Sequence, residues 1–269
     1  MNQRKKIKHK MKNKRDKGKK GQIAIFVIIA IILVVSIIVV FSLLQNPLKS
    51  SKVAEDPKIF ISECVLEAGE EALELVRAHG GYLDAPELNM LYENENIAYL
   101  CYIDKQDELC INKEPMLTKR IEQQITEYVS PRVEKCFDSL EEILGKYNPE
   151  MGITNLEVDV IPNSVLIKIN KKVSFTKNEE SQDYEIFDID IASPMFDFTL
   201  MTNDIINQEV SCNCGQEACN ADVIALAGKN RDYDIEKFVT GGNEDVYKLR
   251  EFDTKKEFTF AIRNCIRLP

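Results

Sequence analysis

Residues 155–192 read NLEVDVIPNSVLIKINKKVSFTKNEESQDYEIFDIDIA, and this stretch decides the fold. Leu156, Val158 and Val160 alternate with polar residues. Val165, Ile167, Ile169, Val173 and Phe175 then define one face of a long strand, and Tyr184 to Ile191 gives a third. Short loops join the three strands, so they are expected to form an antiparallel meander. In the third run the apolar phase slips between Ile186 and Ile189 at Asp188, which predicts a bulge there.

Working outward, the preceding segments are helical. From Pro57 to His79, Ile59, Ile61, Val65, Leu66, Ala68, Ala72, Leu73, Leu75 and Val76 recur at helical spacing, and Gly80-Gly81 supplies a stop. Ile97 to Ile103 and Glu108 to Ile111 read as short strands around the turn DKQDE. Pro115 to Tyr147 is again helical but is interrupted at Ser130-Pro131, an N-cap and first-turn pair, so it reads as two consecutive helices or one kinked helix. Val133, Cys136, Phe137, Leu140, Ile143 and Leu144 mark the second buried face. Beyond the meander, Ser193-Pro194 starts a helix over Phe196 to Val210, and a short helix is expected at Asp222 to Ala227. Strands follow at Tyr233 to Val239, Val246 to Phe252 and Phe258 to Cys265. The fold class is α+β, with helices first and a mainly antiparallel sheet later. It occupies residues 58–269 as one domain or two lobes divided near residue 150.

Ahead of this domain lies QIAIFVIIAIILVVSIIVVFSLL, Gln22 to Leu44, without a single charge. As a helix it spans roughly 34 Å, enough to cross a hydrocarbon core of about 30 Å. Residues 1–21 carry eleven Lys/Arg and one acid, Asp16, for a net charge of +10; the remaining 24 Lys/Arg and 43 Asp/Glu net −19. The positive-inside rule places the basic tail in the cytoplasm and the domain outside, across the cell membrane. Beside a span, such a tail reads as an orientation signal meeting anionic lipid, so the bilayer is an expected partner and nucleic acid is not. A cleavable secretory signal fits poorly, because the apolar run is long and no A-x-A-like site follows it. Residues 45–57, with two prolines, suit a linker.

All eight cysteines follow the span: Cys64, Cys101, Cys110, Cys136, Cys212, Cys214, Cys219 and Cys265. An even count on one side of a bilayer reads as disulfides in an oxidising space. Cys64 and Cys136 sit on helices whose faces can pack, and the DKQDE turn brings Cys101 near Cys110; the last four would then form two more bridges. Alternatively, Cys212, Cys214, Cys219 and Cys265 supply four thiolates for zinc, although the second C-x(2 to 4)-C knuckle is missing. A thiol redox role is the remaining reading, without the C-x-x-C spacing it wants. Asp188, Asp190, Asp232, Asp234 and Glu236 alternate as calcium ligands or as a solvated strand face, but Ile235 stands where an EF-hand needs glycine. The histidines are His9, in the tail, and His79, beside the di-glycine stop. No phosphate loop, dinucleotide fingerprint, nucleophile elbow or zincin motif occurs, so neither a catalytic residue nor a cofactor is assigned.

At the membrane boundary KGKKGQIAIFVIIAIILVV resembles the N-termini of archaeal type IV pilin-like proteins, in which a basic tail ending in Gly-Gln precedes the hydrophobic helix. That resemblance implies cleavage after Gly21, leaving Gln22 first. SECVLEAGEEALELVRAHGGYL, IAYL and FTFAIRNCIRLP are similar to stretches of a group of archaeal surface proteins to which no activity is attached. Three expectations follow. The first is a non-enzymatic, membrane-anchored surface protein whose disulfide-braced domain serves adhesion, assembly or binding of other envelope proteins. The second is a pilin-like filament subunit, and the third a zinc-binding or thiol-redox ectodomain.

Overall fold

The computed structural model describes residues 56–103, 108–211, 232–240 and 243–264. All belong to one of the two units into which the chain divides, Val53–Pro269. Residues 22–44, the expected helix at 222–227, and Cys212, Cys214, Cys219 and Cys265 lie outside the described residues.

Helix α1, Pro57–Ala78, begins where Asp56 accepts a hydrogen bond from the Lys58 N–H at 2.9 Å and Pro57 takes the first turn. It ends at His79, where Gly80 and Gly81 adopt φ of 70° and 97° and the Gly81 N–H reaches the Val76 carbonyl at 2.7 Å. Left-handed φ values of this kind suit glycine, and the bond closes the helix in a Schellman arrangement. Ile61, Val65, Ala68, Gly69, Ala72, Leu73 and Val76 face inward. Ile59, counted with them by spacing, instead points outward at 58% exposure.

Strands β1 (Asn89–Tyr92), β2 (Glu95–Tyr102) and β3 (Ile111–Asn112) precede α2, Leu117–Leu144. Strand β1 was not expected, and the strand expected over Glu108 to Ile111 is instead the two-residue β3, sharing Ile111 with it. Helix α2 is continuous through Pro131, so Ser130-Pro131 starts no second helix. Ser130 and Thr126 turn their hydroxyls back to the carbonyls of Thr126 and Glu122, at 2.6 and 2.7 Å. Packing of the helix's apolar face on both sides of the proline outweighs the lost backbone bond. After a single 3₁₀ turn come β4 (Glu150–Met151), β5 (Asn155–Ile161), β6 (Ser164–Lys177), β7 (Glu180–Ala192), α3 (Met195–Ser211), β8 (Tyr233–Val239), β9 (Glu244–Glu251) and β10 (Glu257–Arg263).

Two sheets result. In one, β6 is flanked by β5 and the short β4 on one side and by β7 on the other, all antiparallel. The register shifts between Asn170 and Val173, where Lys171 and Lys172 oppose Glu185 alone, so the bulge lies on β6 and not at Asp188. Phe187, Ile189 and Ile191 alternate cleanly inward past Asp188; the phase break falls earlier, between Tyr184 and Phe187. Lys171, at the bulge, bonds Glu134 of α2 at 3.1 Å and Thr154 at 2.8 Å. The other sheet runs β1-β2-β10-β9-β8, with β3 also on β2, and its β2–β10 pair is parallel. The class is therefore α+β with one antiparallel and one mixed sheet. A single apolar cluster, from Ile61 of α1 to Ile262 of β10, joins the three helices to both sheets across residue 150. Each fully buried Leu, Ile, Val or Phe in it contributes about 1.5–3 kcal/mol.

Among the described residues two disulfides brace the domain. Cys64 on α1 bonds Cys136 on α2, with Cα atoms 6.0 Å apart, and Cys101 on β2 bonds Cys110 just before β3, at 5.4 Å. These are the pairs that the helix faces and the turn put together. Among the described residues no helix is long and apolar enough to cross a membrane.

Candidate functional site

Strand alternation gives the mixed sheet two different faces. On β10, Phe258, Phe260 and Ile262 join the main core, whereas Ala261 turns the other way; on β9, Tyr247 and Leu249 go inward and Val246 outward. Ile97, Tyr99, Val246 and Ala261 form a second buried cluster on this outer face, with Met90, Tyr92, Tyr102 and Phe238 packed on it. Among the described residues no helix residue takes part in it. The four cluster residues are themselves buried, at 7% exposure or less, so what this face offers a partner is the partly buried Met90, Tyr92, Tyr102 and Phe238.

Cations hold the rings in place. Lys248 Nζ lies 5.1 Å from the Tyr92 ring centre and 5.6 Å from that of Phe238, and is 2.6 Å from Glu93 Oε2. Burial works against its ammonium form, but Glu93 outweighs it and the Lys248 pKa ends above the ordinary lysine value. Arg263 lies over Tyr102 at 5.2 Å. Tyr99 donates to Glu244 Oε1 at 2.8 Å, and burial together with that carboxylate pushes the Tyr99 phenol well up. Beside this array opens a groove of about 420 Å³, walled by Arg77 of α1, Glu93, Glu95, Lys248, Lys256 and Glu257 among others. Charges of both signs around an aromatic centre are the anatomy of a protein-binding surface.

On the inner face lies a buried ionic network that the sequence reading missed. Glu209, near the end of α3, is 2% exposed and accepts from Lys237 Nζ at 2.8 Å, from Tyr247 OH, and from Asn264 Nδ2 at 3.0 Å. Lys237 also pairs with Asp245 at 2.9 Å. Burial pushes the Glu209 carboxyl up, but the Lys237 charge and the hydrogen bonds from Lys237, Tyr247 and Asn264 more than reverse this, holding it below the usual carboxylate range. A signal existed: Lys237 and Asp245 are in phase with the buried Tyr233 and Tyr247, a charge where alternation calls for an apolar residue. None of the five lines that groove, and the group ties α3 to β8, β9 and the residue just after β10. This geometry fixes the end of α3 against the sheet.

Of the sequence-derived candidates, Cys64, Cys101, Cys110 and Cys136 are consumed in disulfides. The carboxylates considered for calcium are not brought together: Asp188 and Asp190 are on β7 of one sheet, Asp234 and Glu236 on β8 of the other. Among the described residues no group of three or more His, Cys, Asp or Glu is placed to hold a metal. His79 Nδ1 lies 2.7 Å from the Leu83 carbonyl and Nε2 3.5 Å from Glu95, which accounts for its place at the helix end. Cys212, Cys214, Cys219, Cys265, Gly21 and Gln22 fall outside the described residues. No protein-family model, curated protein or solved structure matches the chain.

Proposed function

We propose that this chain is a single-pass protein of the cell surface, anchored by residues 22–44, whose disulfide-braced domain binds other envelope proteins and catalyses no reaction. The pair of disulfides carries this reading. Each closes a core contact, and such bonds persist in oxidising surroundings, the side of the bilayer to which the charge split assigns the domain. The aromatic face of the mixed sheet supplies a surface for partners. In this account the lysine-rich tail remains attached and meets anionic lipid in the cytoplasm. N-terminal sequencing of protein from native membranes tests it: an intact tail is expected, and Gln22 as first residue would replace the permanent anchor by the pilin-like reading that Gly21-Gln22 favours. The zinc or redox alternative requires Cys212, Cys214, Cys219 and Cys265 as thiols; peptide mapping without reduction is expected to find them paired among themselves.

A further inference from the structure

Strand β7 is a sheet edge thirteen residues long. It pairs with β6 along one side. Among the described residues the only hydrogen bond reaching its other side is from Lys256 Nζ to the Ala192 carbonyl, at the very end of the strand. The opposite edge of the same sheet is treated differently, since Glu122 of α2 takes the Val160 N–H of β5 at 3.1 Å. An unpaired edge of this length is a template for a further strand.

Helix α1 runs beside that edge. A groove of about 390 Å³ separates them, walled by Lys58, Ile59, Ser62 and Glu63 of the helix and by Ile186, Phe187 and Asp188 of the strand. Ile59 and Ile186 are 58% and 52% exposed, two branched aliphatic side chains at the lining of one groove. Glu180, Asp183, Glu185, Asp188 and Asp190 line the strand and are all exposed.

We propose that the groove between α1 and β7 docks an extended, basic segment of a partner protein, which adds to the sheet as a strand beside β7. Main-chain hydrogen bonds to β7 supply affinity, and Ile59 of α1 receives an apolar side chain from the helix side of the incoming strand. The row of carboxylates selects Lys or Arg at the alternate positions. Those same charges keep the edge from pairing indiscriminately, and they disfavour a second copy of this chain, whose β7 would set carboxylate against carboxylate. The proposal does not depend on how residues 22–44 are used.

The test uses the full chain in mild detergent and three labelled nine-residue peptides, followed by fluorescence anisotropy. One alternates Lys and Val, one alternates Glu and Val, and the third is the Lys–Val peptide N-methylated at every second residue. The Lys–Val peptide is expected to bind, with the acidic and the N-methylated peptides each weaker by about tenfold or more. D188N/D190N together, at exposed positions that leave the fold intact, are expected to weaken it severalfold, and Ile59→Asp, which puts a charge where the apolar side chain docks, to weaken it further. Equal binding of the N-methylated peptide would reduce the contact to charge attraction and overturn strand addition. An unchanged affinity in D188N/D190N, or no binding of the Lys–Val peptide, would overturn the basic partner.

Discussion

Replacing Cys64 and Cys136 by alanine removes the only covalent link between α1 and α2. The bridge spans a sequence separation of 72 residues, and the loop-closure entropy restored to the unfolded chain corresponds to about 4 kcal/mol at 25 °C. Cys136 is buried at 3% exposure, so loss of its packed sulfur adds at most about 1 kcal/mol. For a domain of this size each kcal/mol moves Tm by about 2–4 °C, so C64A/C136A should melt about 8–20 °C below the parent chain. Urea unfolding followed by circular dichroism measures both quantities that matter. Stability in water should fall by about 4–5 kcal/mol, and the denaturant slope should rise because the uncrosslinked chain exposes more surface on unfolding. A loss below about 1 kcal/mol with an unchanged slope would refute the reasoning, since the helices would then be held together as well by packing alone.

Pro131 is exposed and removes a backbone donor inside α2, so P131A is expected to stabilise by about 1–3 kcal/mol in urea; destabilisation would mean that the proline is needed for the fit of α2. Gly69 lies where an added Cβ would sit 2.4 Å from Ile191 Cδ1 and 3.0 Å from Ile167 Cδ1, and G69A should cost about 1–3 kcal/mol despite its better helix propensity, as read by Tm. Breaking the buried Glu209–Lys237 pair with K237M should cost about 3–5 kcal/mol. Because the native Glu209 pKa is depressed, its stabilisation is full above the ordinary carboxylate value of about 4.3 and is lost as pH falls through the lower native value; E209Q should flatten stability against pH in that acid range, and an unchanged acid slope would contradict the assignment.

Local pattern carried most of the architecture. Strand β6 was legible because Val165, Ile167, Ile169, Val173 and Phe175 keep one parity through the bulge, and α1 because Asp56-Pro57 and Gly80-Gly81 punctuate both ends. Ser130-Pro131 misled because a cap-like dipeptide carries no information on whether the helix before it has partners to pack against. Strand β1 escaped notice since its turn rests on Glu93 and Asn94 at φ of 51° and 72°, where a glycine would have announced it. The parallel pairing of β2 with β10 joins segments about 160 residues apart, beyond any local signal. Separation along the chain also hid the outer aromatic cluster and the Glu209 network, whose members come from α3, β8, β9 and the chain just after β10. Ile59 and Ile186 looked like core residues by spacing, and only the packed fold shows both exposed at the lining of one groove.

The central claim is the arrangement of the chain across the membrane. Intact cells treated with a membrane-impermeant amine-reactive biotin, followed by peptide mapping, test it most directly. Label is expected on domain lysines such as Lys58 and Lys119, both exposed, and absent from Lys5 to Lys20 until the cells are opened. Label on the tail lysines of intact cells, or none on the domain, would contradict the account.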